Sequence, residues 1–448
     1  MVYINIFLFL LVCLTLICNK IELIEFTKFL LYKLRRVKIM NFERNLDEYA
    51  KLAIKVGVNI QPGQTLLVRS PIECASFVRK AVKHAYDCGA KNVHIEWSDD
   101  ECTLIKYLNA PDETFNEYPK WTADQYVDIA KEGGAFLTVY AQNPDLLKDV
   151  DPQRVANFQK ASGLALKEWR SYTLSDKCKW SIVSVPTEAW AKKVFPNLNS
   201  SDAVDKLWDA IFKCTRVDNQ DSVEAWKAHN KNLKARMDFL NDKNFKTLKY
   251  KSAKTDLTMY LPEGHIWLSG ASKDPNGIYF NANIPTEEVF SMPHKFKVDG
   301  VVYSTKPLVY GGNVINNFSL TFKNGKIVDF TAEEGYETLS KLIDTDEGSH
   351  YLGEVALVPH HSPISDTNIV FYNTLYDENA SCHFAIGSAY KTCIKDGNNI
   401  KDDELDKYGI NSSLTHVDFM IGSSDLNITG ITHDGNEIQI FKDGNWAF

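Results

Sequence analysis

Carboxylate and imidazole side chains are concentrated between residues 354 and 418. The set consists of Glu354, Glu378, His383, His416 and Asp418. Zinc, cobalt and manganese bind both types of side chain in proteins. More carboxylates than histidines favours a two-metal hydrolytic site over a structural zinc site. The sequence therefore predicts a catalytic metal centre in this region.

The spacing within this set indicates which elements position it. His416 and Asp418 are two residues apart in the strand-like run LTHVDFMIGS, and alternate residues of a strand point to the same face. Glu378 and His383 are five residues apart, which favours a turn between them. The small residues at 385–389 would let a helix pack closely beneath a site. Taken alone, each motif is more typical of a solvated polar pair or an acidic turn, so the metal centre depends on their combination.

Two further carboxylates are ambiguous. Glu354 leads into the apolar run VALVP, where it is either a solvated strand end or a buried charge that must be paired or metal-bound. In NIPTEEVF (283–290), Pro285 and Glu287 predict the start of a helix, because acidic residues are favoured in the first turn. Glu288 precedes two apolar residues that should draw it toward the core.

The hydrophobic pattern divides the chain near residues 240–245. Before this point strands and helices alternate, which predicts βαβ units and a parallel sheet. The predicted strands are 64–69, 91–97, 134–140 and 180–185, and the predicted helices are 74–88, 151–174, 202–216 (with Ser201 as N-cap) and 223–241. Beyond it, strands follow one another, with one helix at 332–344 and a hairpin at Asn324-Gly325. We therefore predict an α/β N-terminal domain (40–243) with a mostly parallel sheet, followed by a mainly antiparallel β (α+β) metal-binding domain (244–448).

Residues 1–39 do not fit this organisation. Residues 1–18 form an uncharged apolar run that lacks the positive start and small-residue cleavage site of a signal peptide. Its length is near the minimum for a membrane span, so a membrane anchor is one interpretation. The preferred hypothesis is that the functional protein starts at Met40 and that 1–39 is not part of the functional fold.

Composition excludes several classes of function. The formal net charge of −8 argues against a nucleic-acid-binding surface, which needs a basic stripe. Nine cysteines without a C-x-x-C pair are typical of reduced thiols in a cytoplasmic protein. We therefore expect a cytoplasmic protein with neither nucleic-acid nor membrane partners.

Four segments together resemble the aminopeptidase T / aminopeptidase S family of thermophilic metalloproteases. They are NIPTEEVF (283–290), GEVALVP (353–359), NTLYDENASCHFAIGSAY (373–390) and THVDFMIG (415–422). The resemblance covers about Met40 to Phe448. It implies a homodimeric aminopeptidase with two divalent ions (zinc, cobalt, manganese or magnesium), which hydrolyses peptides with a free N-terminus by a metal-activated water.

The resemblance also assigns roles to individual residues. It implies the metal ligands Glu288, Glu354, His383, His416 and Asp418, with Glu378 as a further candidate. It implies that Tyr390 is the active-site tyrosine, and Glu354 is the candidate carboxylate for proton transfer.

Two other functions stay open at this point. A two-metal hydrolase of another amide or of a phosphoester is one, although a phosphate site needs cationic side chains and Lys391 is the nearest. An inactive metal-binding scaffold is the other, and the intact ligand set argues against it.

Overall fold

The computed structural model describes residues 39–141, 143–218 and 221–448. Residues 39–48 are helical, and the compact unit that carries all the sheets runs from Tyr49 to Phe448. The hypotheses about the N-terminal segment concern residues 1–39. Of these, residues 1–38 lie outside the described part of the chain. Within the described part, no helix is long and apolar enough to cross a membrane.

The first half of the unit alternates strands with helices, as predicted. Its strands are β1 (Thr65–Pro71), β2 (Asn92–Ser98), β3 (Ala135–Val139) and β4 (Trp180–Val183). Its helices are α1 (Ala75–Asp87), α2 (Asp100–Asn109), α3 (Lys120–Lys131), α4 (Pro152–Ala165), α5 (Lys167–Thr173), α6 (Glu188–Val194), α7 (Ser200–Cys214) and α8 (Ser222–Lys243). The four strands form one parallel sheet in the order β2-β1-β3-β4. The prediction of an α/β region with a parallel sheet is confirmed.

Several details differ from the prediction. The sequence pattern missed α2, α3 and α6, and the single helix predicted at 151–174 is the pair α4 and α5. The N-cap of α7 is Asn199, whose side chain accepts a hydrogen bond from the Asp202 amide, so Ser201 lies inside the helix. Asparagine caps a helix as well as serine does. Because Asn199 is followed by two serines, the sequence alone does not show which residue starts α7.

The second half of the unit consists mainly of antiparallel strands. They are β5 (Thr247–Lys251), β6 (Asp256–Tyr260), β7 (Leu268–Ser269), β8 (Ser272–Lys273), β9 (Tyr279–Phe280), β10 (Val289–Ser291), β11 (Val298–Tyr303), β12 (Leu308–Tyr310), β13 (Asn313–Lys323), β14 (Lys326–Glu334), β15 (Leu352–Leu357), β16 (His383–Gly387), β17 (His416–Met420), β18 (Asn427–Ile431), β19 (Glu437–Lys442) and β20 (Asn445–Trp446). The helices are α9 (Tyr336–Ile343) and α10 (Thr374–Asp377). A large sheet has the order β12-β13-β11-β6-β5-β18-β19-β20, with β14 beside β13, and a five-stranded site sheet has the order β17-β16-β15-β10-β7.

The structure confirms one local prediction in this half and corrects three others. Asn324 and Gly325 form the tight turn between β13 and β14, both with positive φ. The helix predicted from residue 332 begins at Tyr336, because β14 stays paired with β13 as far as Glu334. No helix starts at 285–287, and residues 383–387 are strand β16, between β15 and β17, instead of a surface beneath a helix.

One face of the site sheet is packed into the main hydrophobic core. Val355, Phe384 and Phe419 are fully buried there. Phe384 contacts Tyr250 of the large sheet with ring centroids 5.1 Å apart, and Phe419 contacts Phe318 at 5.6 Å. Burying each such side chain stabilises the fold by about 1.5–3 kcal/mol. Because a slip of one residue would turn these side chains to the wrong face, the core fixes the register of the sheet.

Candidate metal centre

The opposite face of the site sheet carries the polar residues of β15, β16 and β17. Glu354 is paired with Ala385, and Ala385 is paired with Asp418. His383 lies two residues before Ala385, and His416 lies two residues before Asp418. Cross-strand partners and alternate residues share one face of a sheet. The pleat therefore brings Glu354, His383, His416 and Asp418 to the same face.

Small residues separate these side chains on that face. Ala356 is paired with His383, and Gly387 is paired with His416. Gly387 has φ +107°, and a Cβ there would lie 2.3 Å from the Thr415 carbonyl oxygen. Larger side chains at these positions would fill the space between the polar groups. The run of small residues that the sequence pattern assigned to helix packing instead keeps the face of the sheet open.

Glu288 and Glu378 approach the same place from outside β15, β16 and β17. Glu288 directly precedes β10, which pairs antiparallel with β15. Glu378 lies in a single 3₁₀ turn, Glu378–Ala380, between α10 and β16. Both carboxylates are buried, and both line one cavity together with His383.

Five of the six predicted ligands form two overlapping groups of potential ligand atoms. The first group is Glu288, Glu354 and His383, and the second is Glu354, His416 and Asp418. His383 Nε2 lies 3.1 Å from Glu288 Oε2 and 3.6 Å from Glu354 Oε1. His416 Nε2 lies 3.4 Å from Glu354 Oε2 and 3.6 Å from Asp418 Oδ1. Ligand atoms of a tetrahedral zinc ion with bonds of about 2.0–2.1 Å lie about 3.3 Å apart, so the spacing fits metal coordination.

Backbone carbonyls orient both imidazoles. His383 Nδ1 donates to the Glu378 carbonyl at 2.9 Å, and the Ser381 carbonyl lies 3.1 Å from the same nitrogen. His416 Nδ1 donates to the Ser388 carbonyl at 2.7 Å. A carbonyl only accepts, so Nδ1 carries the proton and Nε2 faces the carboxylates. This is the usual outer hydrogen bond of a metal-binding histidine.

Burial and charge shift the pKa values within the cluster. Burial favours neutral Glu354, but His383 and His416 outweigh it and lower the pKa of Glu354 to about 2. Burial opposes protonation of His416, but Asp418 and Glu354 raise its pKa to about 9. Burial raises the pKa of Asp418 to about 6. Without metal ions, protons on the imidazoles offset the repulsion between the buried carboxylates.

A buried oxygen supports the metal interpretation independently. Asp418 Oδ1 is buried and accepts no hydrogen bond. An unsatisfied buried carboxylate oxygen is costly unless a cation or a donor reaches it. A metal ion in the second group would supply that partner.

Tyr390 lies at the edge of the groups. Its ring contacts the His416 ring with centroids 4.8 Å apart, and it lines the same cavity as the ligands. Burial and then the charge of Glu354 raise the pKa of Tyr390 well above its usual value. The hydroxyl is therefore a hydrogen-bond donor at neutral pH.

Glu378 is close to the groups but is not a member of either. Its Oε1 accepts hydrogen bonds from Asn379 Nδ2 at 3.2 Å and Asn283 Nδ2 at 3.3 Å. The pattern analysis did not single out either asparagine, although both lie inside the quoted motifs. Asp176 and Trp180 also line the cavity, and no signal in the sequence marks them.

A buried ion pair holds the segment that carries Glu288. Arg216 Nη2 lies 2.7 Å from Glu287 Oε1, and the Glu287 amide donates to Asn379 Oδ1 at 2.8 Å. Glu287 is thus a structural anchor and not the first turn of a helix, because a charge this deeply buried needs a partner.

Comparison with known proteins gives this geometry a context. The family model described as thermophilic metalloprotease (M29) matches residues 42–446. The chain belongs to this family. The resemblance to the aminopeptidase T / aminopeptidase S family of thermophilic metalloproteases, inferred from the four motifs, is thereby confirmed. Among its M29 relatives, Aminopeptidase 2 of Geobacillus stearothermophilus is 55% identical, over 91% of this chain and 98% of the relative. Aminopeptidase AmpS of Bacillus subtilis is 53% identical, over 91% of this chain and 100% of the relative. The solved structure of wild-type AmpT from Thermus thermophilus matches with a TM-score of 0.84 and 38% identity, covering 91% of this chain and 100% of that one.

Proposed function

We propose that the chain is a two-metal aminopeptidase that removes the first residue from peptides with a free N-terminus. Membership of the metalloprotease family and relatives named aminopeptidases make it a metal-dependent aminopeptidase. Glu354 supports the number of ions, because it belongs to both ligand groups and offers one oxygen to each. A carboxylate shared in this way is suited to bridge two cations.

The charge of the cluster supports the same number of ions. The two ligand groups contain the carboxylates Glu288, Glu354 and Asp418, whereas Glu378 and Asp176 line the cavity outside both groups. With neutral imidazoles, three ionised carboxylates exceed the charge of one divalent cation and offset most of the charge of two. The mixed nitrogen and oxygen donors favour zinc, cobalt or manganese, and magnesium is the least favoured because it prefers oxygen ligands and water.

In the proposed mechanism, the metal ions and the side chains have different chemical roles. Divalent cations held by the two ligand groups would lower the pKa of a water molecule and polarise the scissile carbonyl. The Tyr390 hydroxyl, beside His416, donates a hydrogen bond to the oxyanion that develops on that carbonyl. Glu354 is the candidate from the sequence to carry the proton toward the leaving amine, but with one oxygen in each ligand group its role as a ligand is the better supported of the two. The free α-amine is positioned by the acidic cavity, which accounts for exopeptidase action.

The competing hydrolase functions fit the cavity less well. No lysine or arginine is among the described residues that line the ligand cavity. A phosphoester substrate needs such cations to hold its charged oxygens. The cavity therefore favours a peptide over a phosphoester.

The test is peptide hydrolysis by the purified protein before and after metal removal. We expect release of the first residue from unblocked peptides, its loss after chelation, and recovery with zinc, cobalt or manganese. N-acetylated versions of the same peptides are the control and should not be cleaved. Cleavage that survives complete metal removal, or that ignores acetylation, would contradict the proposal.

The assembly and location of the protein are part of this proposal. We propose a homodimer in the cytoplasm, on the basis of the family resemblance and the cysteine pattern. Sedimentation equilibrium at several concentrations would measure the mass, and a monomer at every concentration would contradict the dimer.

A further inference from the structure

A second cavity adjoins the metal centre. It has a volume of about 470 Å³ and lies against the face of the parallel sheet that carries Arg69, Thr138 and Ile182. Trp180 and His416 line both this cavity and the ligand cavity. A peptide whose first residue lies at the metal centre can therefore continue past His416 into the second cavity. We call this space the arginine cavity, because Arg69 and Arg170 line it.

The two cavities have opposite charge. No aspartate or glutamate is among the described residues that line the arginine cavity. In the ligand cavity, Glu378 and Asp176 belong to neither ligand group, so bound metal ions would leave their carboxylates available to a positive partner. A short peptide at neutral pH has a positive N-terminus and a negative C-terminus. The charges of the two cavities match the two ends of such a molecule.

Arg69 is held by aromatic rings and forms no ion pair with a described carboxylate. Its guanidinium carbon lies 5.4 Å from the Tyr126 ring centroid and 5.9 Å from that of Trp169. Glu96 is opposite Arg69 in the register of β1 and β2, but its Oε2 accepts the Tyr126 hydroxyl at 2.5 Å. Stacking of this kind fixes the orientation of a guanidinium while its N–H groups stay available for an anion.

Arg170 is the second cation of the cavity. Its Nη1 donates to the Leu414 carbonyl at 2.9 Å, and no described carboxylate pairs with it. Burial lowers the pKa of Arg170, and the positive charge of Arg69 lowers it further. Two cations that repel each other next to a cavity gain stability when an anion binds between them.

The parallel sheet sets the distance from this pair to the metal centre. Arg69, Thr138 and Ile182 are in register on β1, β3 and β4, and Ile182 bridges to Asn283 in the motif that contains Glu288. Three strand spacings of about 4.8 Å separate Arg69 from Asn283, or about 14 Å in all. An extended peptide covers at most about 3.3–3.6 Å per residue, so about four residues span this distance.

We propose that Arg69 and Arg170 bind the C-terminal carboxylate of short peptide substrates, so that the protein prefers peptides of about four residues with a free C-terminus. The inference rests on the proposed aminopeptidase function and adds the class of substrate. Arginine is suited to this role because its planar N–H groups match the two oxygens of a carboxylate.

The test compares a tetrapeptide of neutral residues as the free acid and as the C-terminal amide. The metal-loaded full chain should cleave the acid with a kcat/KM about 10- to 100-fold higher than the amide, the loss expected for a hydrogen bond to a charged group. The difference should appear mainly in KM, because the carboxylate is bound equally in the ground and transition states.

Substitutions show whether the preference comes from the arginine pair. Arg69→Gln should lower kcat/KM for the acid much more than for the amide, so that the difference between the two peptides shrinks. Arg69→Lys keeps the charge and should keep part of the preference, which a purely structural role would not produce. Arg79→Gln is the matched control. Arg79 is exposed on α1, so this substitution removes the same charge at a position outside the cavity.

Equal kcat/KM for acid and amide in the unsubstituted protein would overturn the inference. A loss of activity in Arg69→Gln that is the same for both peptides would also overturn it. In either case cleavage of the amide would leave the aminopeptidase function intact. Cleavage of neither peptide by the metal-loaded protein would refute the proposed function, and this inference with it.

Discussion

Substitution of Glu354 by glutamine should weaken both sites of the proposed two-metal centre at once. Glu354 is the only described residue that both ligand groups share, and each of its oxygens faces a different histidine. Glutamine keeps the shape and removes one charge. Two unit charges about 4 Å apart interact by about 4 kcal/mol at an effective dielectric constant of about 20. The lower cost of burying a neutral amide offsets part of this, so we expect each ion to bind about 10²- to 10³-fold more weakly.

Calorimetric titration of the metal-free protein measures this effect for each ion. Glu288→Gln and Asp418→Asn are informative comparisons, because each residue belongs to one group only and should weaken one ion of the two. Glu263→Gln, at an exposed position, is the matched control and should bind both ions normally. If folded Glu354→Gln bound both ions with unchanged affinity, or lost only one, the bridging role would be wrong.

Three further predictions concern the same region. Tyr390→Phe keeps the ring contact with His416 and removes the donor, so kcat should fall about 10²- to 10³-fold with unchanged metal content in elemental analysis, and an unchanged kcat would exclude the oxyanion role. In the metal-free protein the pKa of His416 is about 9 and that of Asp418 about 6, so protons compete with metal below these values. Metal affinity measured by calorimetry should therefore rise between about pH 6 and 9, by about tenfold per unit for each proton displaced, and a flat profile would contradict this. Arg216→Met leaves Glu287 buried without its partner and should lower the free energy of unfolding in urea by about 3–5 kcal/mol, whereas a change below about 1 kcal/mol would show that the pair is dispensable.

The raised pKa of His416 also sets the sign of a stability effect. In the metal-free protein a histidine with a folded-state pKa of about 9 contributes stability that is fully present below its unfolded value of about 6.5. This contribution is lost as the pH rises through about 9. The metal-free protein should therefore become less stable over this range, and urea titrations at several pH values would measure the trend.

The sequence predicts the position of some candidate ligands better than that of others. His416 and Asp418 were placed on one face of a strand by their spacing alone, and β17 confirms that placement. The role of Glu288 is ambiguous in the sequence, because a glutamate is equally suited to the first turn of a helix and to a buried metal site. Pairing of β10 with β15 resolved this, because it requires an extended chain where the local pattern favoured a helix.

The boundaries of helices and strands are likewise predictable only where local residues determine them. Asn324-Gly325 fixed its hairpin locally, because both residues adopt positive φ readily. The start of α9 could not be located in the same way, since residues 332–334 are in β14 only through their partners on β13. Long-range pairing is not visible in a local window of sequence.

The sequence by itself determined the ligand chemistry, the alternation of strands and helices in the first half, and the family, because residue types, short spacings and motif order are local properties. Tertiary structure alone decided that Glu354 lies between two histidines, that Arg216 holds Glu287, and that an arginine cavity adjoins the metal centre. These features join residues that are distant in the chain, such as Arg69 and His416. They depend on the register and packing of sheets, which the buried core fixes and which no single segment encodes.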